Sequence, residues 1–179
     1  MLLLETIDGQ NYSLFEEKLI ELYLDAFTTG ENAQYIAEEQ AKETLKKFIE
    51  TGFGVIAKQN SQISGFILAY PLHLEEEFPE WKLANPDFEN ALYIAEVLVA
   101  EQFRGQGIAS EMLKKIQNIA GEKKYTSVIL RVWEDNRQAL NLYKKAGFIF
   151  TGTEINQIKY RNKNTPFAMR KIYLLKKLR

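Results

Sequence analysis

The chain contains no cysteine and a single histidine, and each shortage removes a chemistry. Without thiols there is no cysteine nucleophile, no disulfide framework and no thiolate metal site. With His73 alone, neither an HExxH zinc helix nor a pair of imidazole ligands can form, and no metal is expected. One histidine would serve a serine triad, but no GxSxG elbow accompanies it. No run of 18 apolar residues occurs, so no membrane span is expected. Residues 1–5 carry an acid and no basic stretch, which argues against a signal peptide and makes the cytoplasm the expected location. Neither charge sign dominates: 23 Lys and Arg stand against 24 Asp and Glu, a net charge of −1. Such a balance does not suit a general polyanion binder, and no nucleic-acid partner is expected.

What is present fits a soluble globular protein: 46% hydrophobic and 26% charged residues in 179. There is no repeat, low-complexity tract or Gly/Ser linker, so residues 1–179 are expected to form one domain. A first strand is expected at 2–7. Ser13 and Glu16 have the spacing of a capping box, ahead of apolar residues at helical spacing from Phe15 to Phe27. A second helix is expected at 33–50, and strands at 53–58 and 63–71 read as a hairpin. Residues 72–90, with Pro79, Pro86 and six acids, read as a long loop in which Glu75–Glu77 could attract a cationic amine. The apolar run 91–100 reads as a central strand, followed by a helix at 108–123 and a strand at 127–132. A helix at 137–146 and strands at 148–153 and 167–175 complete a mixed α/β sheet. Residues 155–179 hold eight bases and no acid, a segment that would touch an anion, an acidic partner or nothing.

The chemistry concentrates where the central strand ends. Val97-Leu98-Val99-Ala100 leads into Glu101-Gln102-Phe103-Arg104-Gly105-Gln106-Gly107-Ile108-Ala109-Ser110 and so into an amphipathic helix. Glycines let backbone N–H groups approach an anion, a helix N-terminus adds free donors, and Arg104 adds a permanent cation. The local physics therefore points to a phosphate or pyrophosphate. The third glycine of a dinucleotide fingerprint is missing, and so is the Gly-Lys-Ser/Thr of a Walker loop.

Gln102-x-x-Gly105-x-Gly107, with Arg104 and Ala109, resembles motif A of the GNAT family of N-acetyltransferases. Asn136-Arg137-Gln138-Ala139-Leu140-Asn141-Leu142-Tyr143, continuing to Gly147-Phe148, resembles motif B of the same family. The resemblance implies a mostly antiparallel sheet, flanked by helices, whose central parallel pair (91–100 and 127–132) splays to admit acetyl-CoA. It implies that the CoA arm pairs with Val97, Leu98 and Val99 and contacts Asn136. The pyrophosphate would rest on Arg104, Gly105, Gln106, Gly107, Ile108, Ala109 and Ser110, with Gln102 opening the loop. Direct acetyl transfer to an amine is implied, with Tyr143 protonating the leaving sulfur. Acceptor contacts are implied in the loop between the first two helices, at Phe27, Glu31 and Tyr35. An acyl-CoA sensor without turnover is the alternative, and the acceptor, acyl length and a monomer or homodimer stay open.

Glu96 stands out as a carboxylate in an apolar strand, where partial burial raises a carboxyl pKa towards a base's working range. By strand period it shares a face with Leu92, Ile94 and Leu98. It is the expected general base, with His73 or water as alternatives. The structural alternative is an ion pair, with Arg131 as its partner.

Overall fold

The computed structural model describes residues 1–30 and 33–178. The chain runs β1 (Leu2–Ile7), α1 (Glu16–Thr28), α2 (Glu38–Thr51), β2 (Phe53–Gln59), β3 (Gln62–Pro71), α3 (Pro86–Glu89), β4 (Ala91–Val99), α4 (Ile108–Glu122), β5 (Ser127–Trp133), α5 (Arg137–Lys145), β6 (Ile149–Tyr160) and β7 (Pro166–Lys177). Seven strands form one sheet in the order β1-β2-β3-β4-β5-β7-β6. Every pairing is antiparallel except β4 with β5, which the α4 crossover makes parallel. This is the mixed α/β sheet expected, with the parallel pair at its centre. No described helix is long and apolar enough to cross a membrane.

Helices cover both faces. Ile108, Met112, Ile116 and Ile119 recur at helical spacing and are buried against Val55, Ile67, Leu92, Ile94, Val128 and Leu130. Each such fully buried aliphatic side chain stabilises the fold by roughly 1.5–3 kcal/mol. On the opposite face Leu19, Leu22, Tyr23, Leu45 and Ile49 from α1 and α2 pack on Ile56, Phe66 and Leu68.

Four local expectations fail. The Ser13–Glu16 capping box does not form: residues Tyr12–Leu14 make a 3-10 turn, and α1 starts at Glu16 with no side-chain cap. Helix α2 starts only at Glu38; residues 33–37 are not helical, and Tyr35 N–H donates instead to the Tyr160 carbonyl at 2.6 Å. The 72–90 segment is packed, not free: it carries two 3-10 turns and α3, and Phe78 seats edge-on against both Phe88 and Tyr173. Strand β6 does not end near residue 153 but continues to Tyr160, so the basic segment lies largely in a long β6–β7 hairpin, with Arg179 outside the described residues.

Candidate active site

Strands β4 and β5 pair only from Ala91 and Ser127 to Ile94 and Leu130. Beyond that point β5 stays with β7, to which it is bonded along its whole length, and the two central strands part. Between them opens a cleft of about 1020 Å³, lined by 95–99, Arg104, Gly105, 107–110, Asn136 and Tyr143 among others. A β-bulge marks where the strands part: Ile94 pairs with Ala69 and Glu96 with Leu68, leaving Ala95 without a partner. The extra residue reverses the alternation. Leu92, Ile94, Val97 and Val99 join the core under α4, whereas Leu98 joins the core under α1 and α2. Glu96 pairs with Leu68 on that second side, so it does not share a face with Leu92 and Ile94.

The anion loop follows directly. After β4 a 3-10 turn (Glu101–Phe103) leads to Gly105 and Gly107, whose φ angles of +76° and +80° favour glycine. Gly107 is also the N-cap of α4, with no side chain to occupy the helix's free N–H groups. Arg104 lines the cleft and donates through Nε to the Val99 carbonyl at 3.3 Å. Val97, Leu98, Val99, Ile108, Ala109 and Ser110 also line it, whereas Gln102 and Gln106 do not. Gln106 instead ties the loop together, donating to the Gln102 carbonyl at 3.4 Å and accepting from Gln59 at 3.3 Å. The open strand edge and uncapped helix together fit an extended thioester carrying a pyrophosphate.

Glu96 and Tyr143 both line this cleft. Glu96 is partly buried, and burial pushes its pKa up to about 7 against the pull of Lys171, Arg131 and Lys159. Tyr143 is buried at 7% exposure. Burial, with Glu96 nearby, holds its hydroxyl well above the usual phenol range, so it stays protonated. It packs edge-on against Phe148 at 5.9 Å, and its hydroxyl has no hydrogen-bond partner among the described residues. Asn136 lines the cleft while capping α5, accepting from Ala139 N–H at 3.1 Å. The Arg131–Glu96 ion pair does not form. Arg131 instead holds Glu77 at 2.6 Å and Glu75 at 3.4 Å, and Glu76 pairs with Lys47, so these acids are neutralised rather than open to an amine. His73 is exposed on a turn and lines neither this cleft nor the cavity beside it.

That second cavity, of about 600 Å³, adjoins the cleft through Phe27, Gln34, Glu96, Arg131 and Lys171. Tyr35 lines it, while Glu31 lies outside the described residues. The sequence reading missed Lys159 and Lys171 as site residues. The signal was the inward period of β7, in which Met169 and Tyr173 are buried on either side of Lys171.

The model of the acetyltransferase (GNAT) family matches residues 16–148. The chain belongs to the GNAT acetyltransferase family. Thialysine N-epsilon-acetyltransferase of Bos taurus is 33% identical over 70 residues, covering 39% of this chain and 38% of that protein. Spermine/spermidine N(1)-acetyltransferase of Bacillus subtilis (strain 168) is 32% identical over 76 residues, covering 42% and 49%. The chain thus matches less than half the length of these relatives. An N-acetyltransferase of Staphylococcus aureus Mu50 superposes with a TM-score of 0.71 at 15% identity, covering 100% of this chain and 99% of that one, which shows the fold. The matched span includes the parted strand pair, the bulge at Ala95, the glycine loop, Glu96 and Tyr143.

Proposed function

We propose that the protein transfers an acetyl group from acetyl-CoA directly to a primary amine, with Glu96 as general base and Tyr143 as general acid. One observation carries the reading: a carboxyl group poised near neutrality and a phenol that keeps its proton line one cleft, beside an uncapped helix N-terminus. Acetyl-CoA, when bound, supplies an activated acyl thioester. The glycine loop and Arg104 would hold its pyrophosphate, and the free edge of β4 at Val97–Val99 and Asn136 would hold its arm. Glu96 accepts a proton from the incoming ammonium, and Tyr143 holds a proton at its hydroxyl for the leaving side of the reaction. The acceptor enters from the second cavity, between Phe27 and Tyr35. The acceptors in the relatives' names are aliphatic amines, and the same class is proposed here.

The test is incubation with acetyl-CoA and a panel of aliphatic amines, reading free thiol and the acetylated amine by mass. Thiol release that requires an amine, with one acetyl added to it, is the expected result. Tight acetyl-CoA binding without turnover of any amine would favour a sensor instead.

A further inference from the structure

The cavity beside the CoA cleft has an uneven charge. Four cations line it, Arg131, Lys159, Lys163 and Lys171, against two acids, Glu77 and Glu96. Arg131 and Glu77 cancel one another at 2.6 Å, and Glu77 also accepts from Gln157. Glu75, outside the lining, also holds Arg131 at 3.4 Å, so among the lining groups three ammonium groups face one free carboxyl, which the proposed reaction needs as its base.

Two of these ammonium groups are held where a free cation is costly. Lys159 on β6 and Lys171 on β7 are both partly buried, and neither makes an ion pair or hydrogen bond with a described residue. They point the same way: Ile155 pairs with Lys171 and Gln157 with Met169, so the two-residue period puts Gln157, Lys159, Met169 and Lys171 on one face. Gln157, Lys159 and Lys171 of that face line the cavity, and Met169 lines the adjoining cleft. Burial and the repulsion of Arg131 pull both lysines below their usual pKa, Lys171 to about 8 with Lys159 adding to the effect. Glu96 and Glu77 pull the other way without forming an ion pair with either lysine, so the partly buried like charges still destabilise the empty site, and an anion placed between them reduces that penalty. Lys163, exposed over the Tyr35 ring at 5.8 Å, extends the positive field to the rim.

Position then fixes orientation. Glu96 and Lys171 line both cavities, whereas Lys159 lines only the outer one. We infer that Lys159 and Lys171 form an anion subsite of the acceptor pocket, so that the acceptor is a small primary amine whose other end carries a carboxylate or phosphate. Its amine reaches Glu96 at the junction while its anion stays between the lysines. The inference rests on the acetyltransfer reading above, and a cavity of this size suits a small molecule.

Matched amines test it. Ornithine and 1,4-diaminobutane differ only by a carboxylate, and O-phosphoethanolamine and ethanolamine only by a phosphate. Thiol release is measured for all four with the wild type, Lys159→Met and Lys171→Met, with acetyl-CoA affinity by calorimetry as the folding control. The expected result is a kcat/KM at least about tenfold higher for the member of one pair that carries the carboxylate or phosphate than for its partner that lacks it, the scale of a charge-assisted contact. That ratio should fall towards one in Lys159→Met, mainly through KM, while acetyl-CoA affinity holds. The pair that shows the preference identifies carboxylate or phosphate. Thiol release with ratios at or below one, or a preference that survives both substitutions, overturns the subsite and leaves acetyltransfer standing. No thiol from any of the four while another amine of the panel is turned over overturns the subsite alone; no thiol from any amine of the panel, with acetyl-CoA still binding, overturns the acetyltransfer reading and this inference with it.

Discussion

Glu96 owes its role to what surrounds it. Lys171, Arg131 and Lys159 approach from the β5–β7 side, and Tyr23, Tyr70 and Tyr143, all held protonated chiefly by burial, carry its field on the other flanks. Burial wins over the cations, and the carboxyl titrates near 7. Below that pH it holds its own proton and cannot take another, so wild-type kcat/KM should fall on the acid side with a limb near 7. Glu96→Gln should lose that limb and about a hundredfold or more in rate at neutral pH. Raising the pH towards the acceptor amine's pKa, about 10.4 for an alkylamine, should restore part of it because the amine then sheds its proton unaided. Superimposable pH–rate profiles would take Glu96 out of the mechanism. Tyr143→Phe separates chemistry from packing in the same way. The ring that packs on Phe148 remains, so acetyl-CoA affinity by calorimetry should be unchanged while kcat falls about a hundredfold. A change within about twofold would leave Tyr143 a packing residue only.

Among the elements, the loop before α4 is the most sharply constrained. A side chain at Gly107 meets nothing within 4 Å, so space is not the obstacle; the backbone at φ +80° and the charge are. Gly107→Asp should cost about 1–2 kcal/mol in stability and weaken CoA binding by about tenfold or more, read by calorimetry on the folded variant. Unchanged affinity would remove the loop from the anion site. This loop was legible in the sequence because its glycines, Arg104 and the following helix are adjacent in the chain, and the Asn136–Phe148 helix was legible for the same reason. The bulge at Ala95 was not. Strand period is a property of one strand, whereas the bulge is fixed by how β3 pairs across it, and one unpaired residue moved Glu96 to the other face. The late start of α2 escaped for a similar reason: the Tyr35 N–H bonds to a carbonyl of Tyr160, far along the chain, rather than within a helix. Lys159 and Lys171 were visible as charges, but their convergence on one cavity depends on the register of β6 with β7.

At the scale of the whole molecule, the sheet is two half-sheets held at its centre by a short parallel seam. One half is β1–β4 and the other β5, β7 and β6, and their direct pairing ends at Ile94 and Leu130. Below the seam the core under α4 joins the halves, with Leu92, Ile94, Val128, Leu130 and Met112 fully buried together. Above it, the edge of β4 has no strand partner on the cleft side. A ligand that lies along this edge, with its anion on the α4 N-terminus and its arm against Asn136 of α5, touches both halves. It binds the folded protein and has no site on the unfolded chain, so it must raise the unfolding temperature by mass action. At a free acetyl-CoA concentration 100 times its Kd the gain is about 2.7 kcal/mol. For a chain of this length that corresponds to roughly 5–11 °C. Gly107→Asp at the same ligand concentration should lose most of the shift, because weaker binding lowers the ratio of concentration to Kd. Amide hydrogen exchange should locate the effect: acetyl-CoA should slow the amides of Val97 and Val99 more than those of the distant β1–β2 pair. Equal slowing across both regions would mean that the ligand stabilises the fold without lying in the splay.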